Sequence, residues 1–248
     1  ENVGSAAKAY HMEEHLLKRD GKVLTTSMRR FWDMRDPWVW DYLSEKVIGF
    51  LKEYGFEYMK IDYNDTIGLG CDGAESLGEG LRQNMEATLR FINKVKEEVP
   101  GIILENCASG GHRLEPCMMR ICSMASFSDA HECREIPIIA ANLHRVILPS
   151  QSQIWAVIRR EDSLKRIAYS IINTFLGRMC LSGDVTNLEK AQWKVIEDGM
   201  AFYRKIVPII KDGYTSWYGP KVSSYRNPKG WQGILRQGDN GDAYALFH

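Results

Sequence analysis

Three short runs of this 248-residue chain concentrate side chains that can do chemistry. They are Lys60-Ile-Asp62-Tyr-Asn64, Glu105-Asn-Cys107-Ala-Ser-Gly110-Gly111-His-Arg113 and Ser126-Phe-Ser-Asp129-Ala-His-Glu132. Each follows an apolar, β-rich stretch, so each reads as the polar end of a strand. Two carboxylates delivered by separate strand ends suit glycoside hydrolysis. A retaining enzyme uses one as nucleophile and the other as acid and then base, about 5 Å apart across the glycosidic bond. Asp62 and Asp129, one strand–helix–strand unit apart, are the candidate pair. Lys60 alternates to the same side of its strand as Asp62, which sets a cation beside the nucleophile and favours its ionised form. At Gly110 the backbone can approach a sugar hydroxyl because no Cβ intervenes.

The elements that must position these residues follow from periodicity. Asp36-Pro37 suits a helix start, and Val39, Leu43, Val47, Phe50, Leu51 and Tyr54 recur at helical spacing before Gly55. A strand over Phe56–Asp62 follows, then a helix carrying Leu81, Met85, Leu89, Ile92 and Val95 and stopped by Pro100-Gly101. Ile102–Asn106 and Ile121–Phe127 read as strands, Pro137–Leu148 as a helix, Gln153–Ile158 as a strand and Leu164–Phe175 as a helix. Arg178–Leu181 is a last short strand before Ser182-Gly183-Asp184, and a long helix runs from about Leu188 to Ile210. Helix and strand alternate about five times, the mark of a parallel α/β sheet or barrel. A parallel barrel gathers strand C-termini on the rim where such enzymes do chemistry. From about Ser216 short runs broken by Gly-Pro and Asn-Pro point to an antiparallel β module. The expected division is therefore 1–213 for the barrel portion and 214–248 for the start of the β module.

Composition narrows the partners. Lys plus Arg balance Asp plus Glu at 32 each, so no global charge steers the chain to nucleic acid or a membrane surface. No apolar run approaches the roughly 20 residues that span a bilayer. Six scattered cysteines lack zinc-site spacing and disulfide-scaffold density and read as reduced thiols, hence a cytoplasmic setting. The first residue is Glu1 rather than Met and the last run, Asp242–His248, looks like a strand, as expected of a fragment.

Taken in order, Lys60-x-Asp62-x-Asn64, Glu105-Asn-Cys-x-Ser-Gly-Gly111 with Arg113, Ser128-Asp129 and Gly177-Arg-x-Cys-Leu-Ser-Gly-Asp184 resemble the family 36 glycoside hydrolases, the bacterial melibiases. The resemblance runs from about Phe31 to Gly213. It implies a (β/α)8 TIM-type barrel, of which about five of eight strands are present, and the retaining hydrolysis of terminal α-linked galactose from melibiose- or raffinose-type oligosaccharides. It makes Asp62 the nucleophile and Asp129 the acid/base. Lys60, Cys107 and Gly110 become galactose contacts, with Asn64 and Arg113 of the same motifs as further substrate-binding residues. It also implies a substrate-binding arginine at Arg29 or Arg30, no metal or nucleotide cofactor, and a homo-oligomeric parent enzyme. The chain departs from the family pattern at Ser126, where a Trp is usual, and at His112, where Gly or Met is frequent; both positions touch the sugar's edge. An aspartate pair and a Trp that grip the sugar in the family belong to barrel strands preceding this segment.

Other residues carry plainer readings. Asp65 and Asp72 read as loop residues, Asp162 as a helix cap, and Asp184 equally as a structural or a substrate residue. His112, His131 and Glu132 lack metal-site spacing. Trp155, Trp193, Trp217 and Trp231 read as core or interface. Two alternatives to the galactosidase remain: an α-N-acetylgalactosaminidase of the same family, and a non-catalytic carbohydrate-binding remnant, since an open barrel exposes sheet edge.

Overall fold

The structure, a computed structural model, describes residues 2–222 and 224–248. Glu1 and Ser223, inside the expected 1–213 and 214–248 segments, lie outside the described residues. The chain divides into two compact units, one of Glu1–Ser109 with Glu115–Ser123, the other of Gly110–Leu114 with Met124–His248.

The first unit holds two parallel strands, Tyr58–Asp62 and Ile103–Cys107, in the register Lys60 to Glu105 and Asp62 to Cys107. The helix expected before them starts at Pro37, where the Asp36 carboxylate accepts from the Trp38 N–H. It ends at Gly55 with a φ of 67°, a left-handed cap that glycine adopts freely. Between those ends the helix widens over Ser44–Gly49 into π-type turns, which periodicity did not anticipate. There Ser44 Oγ donates back to the Trp40 carbonyl at 2.6 Å and takes a hydrogen bond from Lys94. The next helix, Leu77–Glu98, is capped by Ser76 and buries Ala87, Thr88, Phe91, Ile92 and Val95 on one face. That face joins Val39, Ile48, Leu51 and Leu104 in the unit's main core. Residues 2–31 add strand pairs of two or three residues, Asn2–Gly4 with Arg29–Phe31 and Lys18–Arg19 with Lys22–Val23. They are too short to leave a periodic signal.

The second unit holds three parallel strands, Met124–Ser126, Ser152–Ile158 and Arg178–Gly183. Helices Ile136–Leu143, Leu164–Asn173 and Lys190–Asp212 supply Ile136, Ile167, Ile171, Ile196 and Ile206 to a core with Ile154, Ala156 and Ile158. The first of these ends at Leu143, short of the expected Leu148. Its C-cap His144 instead turns its ring to the Leu176 carbonyl and to Thr215 Oγ1. Ser163, rather than the expected Asp162, caps the second by accepting from the Arg166 N–H at 3.2 Å. Asp162 instead accepts from the Arg159 N–H and pairs with Arg166. Three antiparallel strands, Tyr214–Tyr218, Gly233–Gln237 and Ala243–Phe247, close the chain. Among the described residues no helix is long and apolar enough to cross a membrane.

Candidate functional site

Side-chain alternation along Tyr58–Asp62 puts Tyr58, Lys60 and Asp62 on one face. The parallel register sets Glu105 opposite Lys60 and Cys107 opposite Asp62. Lys60 Nζ lies 3.2 Å from a Glu105 carboxylate oxygen, and the Tyr58 hydroxyl donates to the other. Glu105 and Cys107 are buried, while Asp62 stands exposed at the strand's end. One step on, Asn64 Oδ1 accepts from the Ser109 N–H at 2.9 Å and from its hydroxyl at 3.0 Å. This holds Ser109 at a φ of 45°, an unusual conformation for a residue with a Cβ.

These contacts set the charge of the candidate nucleophile. Partial burial pushes the Asp62 carboxyl up. Hydrogen bonds from Asn64, the Cys107 thiol and the Ser109 N–H, with the charge of Lys60, outweigh it and hold the group below the usual carboxylate value. Burial alone would lower Lys60. Glu105 above all, then Cys107 and Asp62, raise it above the usual ammonium value. The result is an ionised carboxylate beside a fixed cation. A cleft of ≈ 240 Å³ lined by Met59, Lys60, Ile61, Asp62, Phe91 and Val95 runs along this strand, whose other edge is unpaired among the described residues.

Arg29 and Arg30 separate in space. Arg30 donates to the Tyr10 carbonyl and to Glu13, with its guanidinium 4.2 Å from the Tyr10 ring centroid. Arg29 reaches the Asn64 carbonyl at 3.4 Å and Asp65 at 3.9 Å. Of the two, Arg29 therefore borders the Asp62 loop.

The second unit positions Asp129 just beyond Met124–Ser126, exposed. Ser128 Oγ accepts from the Ala130 N–H at 3.0 Å, a local turn that fixes the backbone on both sides of Asp129. Gly110, at a φ of 78°, lies against this segment so closely that a Cβ would fall 2.7 Å from Ser128 Cα and 2.9 Å from the Asp129 nitrogen. Arg113 is buried, 6% exposed. Ser126 is fully buried, and its hydroxyl has no hydrogen-bond partner among the described residues. On the same sheet face the half-buried Trp155 donates to Gln153 at 3.0 Å and meets the His131 ring at 5.8 Å. Asp184 accepts from Thr186 and Asn187 within its own loop, and Asp72 accepts from the Asp20 and Gly21 N–H groups; both are turn fasteners. Glu132 pairs with Arg166 at 3.2 Å. Among the described residues no three His, Cys, Asp or Glu side chains are grouped to hold a metal ion.

Glu105 and Ser109 lie in one of the chemistry-bearing runs, but reading by residue type gave them no role at Asp62 and passed over Tyr58. The alternation Tyr58-x-Lys60-x-Asp62 hints at Tyr58, and the role of Glu105 becomes visible once the strand register is known.

The chain resembles known proteins in sequence and in fold. α-Galactosidase AgaA of Geobacillus stearothermophilus is 23% identical over 189 residues, 71% of this chain and 25% of that protein. A solved structure of a variant of that enzyme in complex with raffinose aligns with a TM-score of 0.80 at 19% identity, covering 97% of this chain and 34% of the other. The α-galactosidase of Lactobacillus brevis aligns with a TM-score of 0.78 at 19% identity, covering 97% and 33%. The chain thus spans a quarter to about a third of the length of these relatives. The shared fold is the (β/α)8 TIM-type barrel expected from the motifs, present here in part. The Melibiase family model matches residues 3–213, from the first short strand to the residue that follows the long helix, and this chain belongs to the Melibiase family.

Proposed function

We propose that this chain carries the catalytic strands of a retaining α-galactosidase. Its substrate is terminal α-linked galactose of melibiose- or raffinose-type oligosaccharides. Asp62 attacks the anomeric carbon while Asp129 protonates the departing oxygen. Water then enters with Asp129 as base and releases galactose with its configuration retained. Lys60, Asn64, Cys107, Gly110 and Arg113 bind the sugar, and residues 214–248 begin a C-terminal β module. The reading needs no metal or nucleotide, and the parent enzyme is a homo-oligomer. The observation that carries it is the Asp62 cluster. A carboxylate exposed at a strand end is kept ionised by Asn64, Cys107, the Ser109 N–H and Lys60, as a nucleophile at neutral pH requires. Family membership and relatives named α-galactosidases support the sugar, and the raffinose complex of one of them supports the oligosaccharide class.

The second reading is a carbohydrate-binding chain without turnover. Release of nitrophenol from nitrophenyl α-galactoside by this chain and by Asp62→Ala separates the two. Turnover lost on substitution supports the galactosidase. Galactose binding without turnover supports the second reading. A rate on the N-acetylgalactosaminide equal to or above that on the galactoside transfers the assignment to an α-N-acetylgalactosaminidase.

A further inference from the structure

Glu105 is 1% exposed, yet it carries a carboxylate, and a buried charge is costly unless both its oxygens are engaged. Here they are. Lys60 Nζ approaches Oε1 at 3.2 Å and the Tyr58 hydroxyl donates to Oε2. Both partners come from one face of the neighbouring strand, and Lys60 stands directly across from Glu105 in the register. A hydrophobic pair would join two strands at least as stably as this ion pair does, so strand cohesion alone leaves the charge unexplained. What the pair does accomplish is visible at the other end of Lys60. The ammonium sits on a flexible stem of four carbons, and the side chain is 35% exposed. Left to itself it would sample solvent. Pinned by Glu105, it is held on the face that carries Asp62.

We propose that Glu105 is the positioning residue of this site: it fixes the Lys60 ammonium beside Asp62 and acts on a bound galactose only through Lys60. This role rests on the galactosidase reading and adds to it a residue that never touches the sugar. The charged and titratable groups around Lys60 include Glu105, Asp62 and Cys107, and Tyr58 joins the cluster through its bond to Glu105.

The test uses the whole chain with carbon-labelled lysine. The Lys60 resonance, assigned by its loss in Lys60→Arg, is titrated in the wild type, Glu105→Gln and Glu105→Asp, and galactose affinity is measured at pH 7 by calorimetry. Lys60 stays protonated at that pH in every variant, so a change in affinity reports its position rather than its charge. The expected result for Glu105→Gln is a Lys60 midpoint lower by about one pH unit and galactose binding weaker by about ten-fold. Glu105→Asp keeps the charge on a shorter stem. It is expected to restore most of the midpoint and only part of the affinity, and it carries the test alone if Glu105→Gln does not fold.

An unchanged midpoint in Glu105→Gln overturns the proposal, and so does a lowered midpoint with unchanged affinity, which leaves a bare ion pair. With Glu105→Asp alone, affinity equal to wild type overturns it. Failure of the wild type to bind galactose, with Lys60 still tracking Glu105, overturns the sugar-directed role, while the galactosidase reading is decided separately by the Asp62-dependent release of nitrophenol. The nitrophenol assay thereby tells the two failures apart.

Discussion

The Cys107 thiol and the Asp62 carboxylate are register partners on adjacent parallel strands and are joined by a hydrogen bond, so a buried sulfur supports an exposed acid. The thiol helps hold Asp62 below the usual carboxylate value. A group held ionised in this way contributes folding stability that is present above its unfolded pKa and disappears as pH falls through the folded one. Cys107→Ala removes a donor, so the acidic limb of nitrophenyl α-galactoside hydrolysis is expected to move to higher pH. Cys107→Ser keeps a donor and should leave the limb nearer its original place. The check is the pH profile of kcat/KM; a limb that stays put in Cys107→Ala removes the thiol from the account.

Arg29 and Arg30 should part company on substitution. Arg30→Ala loses bonds to Tyr10 and Glu13 and the Tyr10 ring contact, so it is expected to cost about 1–2 kcal/mol in urea unfolding. Arg29→Ala removes a group bordering Asn64 and Asp65. It should leave unfolding nearly unchanged and weaken galactose binding. The reverse pattern would show that Arg30 is the sugar-binding arginine.

Gly110→Ala is expected to lose both stability and turnover. The residue would have to hold a φ of 78° with its Cβ 2.7 Å from Ser128 Cα. The combined strain should cost roughly 2–3 kcal/mol and push the Asp129 segment outward. Gly101, at a φ of 86° with nothing within 4 Å of a Cβ, is the control. Gly101→Ala should destabilise by about 1 kcal/mol with turnover intact.

His144 makes the second unit sensitive to acid. Burial, aided by the charge of Arg236 and opposed by the Leu176 carbonyl, lowers its pKa from 6.5 to about 4. The unfolded chain takes up a proton that the folded chain refuses. Stability is therefore whole above about 6.5 and falls as pH drops toward 4, by about 3 kcal/mol at the end of that window. Thermal melts between pH 7 and 4 should show this slope, and His144→Gln should flatten it. A variant with the wild-type slope would place the acid sensitivity elsewhere, with His248, also lowered to about 4 by burial, next in line.

Residue types and their order determined the framework. Alternation along Tyr58–Asp62 and helical spacing in Leu77–Glu98 mark their elements because burial of one face imposes its period on the sequence. Asp36-Pro37 marks a start because free N–H groups at a helix end need an acceptor. Where two acceptors adjoin, as at Asp162 and Ser163, type alone does not say which one turns inward. Tertiary structure decided what depends on partners distant in the chain. The strands of residues 2–31 are two or three residues long and exist only through their pairing. His144 ends its helix because Leu176 and Thr215 offer its ring a place. Arg29 and Arg30 are chemically identical until Glu13 and Tyr10 claim one of them. Glu105 belongs to the Asp62 cluster because the pairing of two strands distant in the chain sets it across from Lys60.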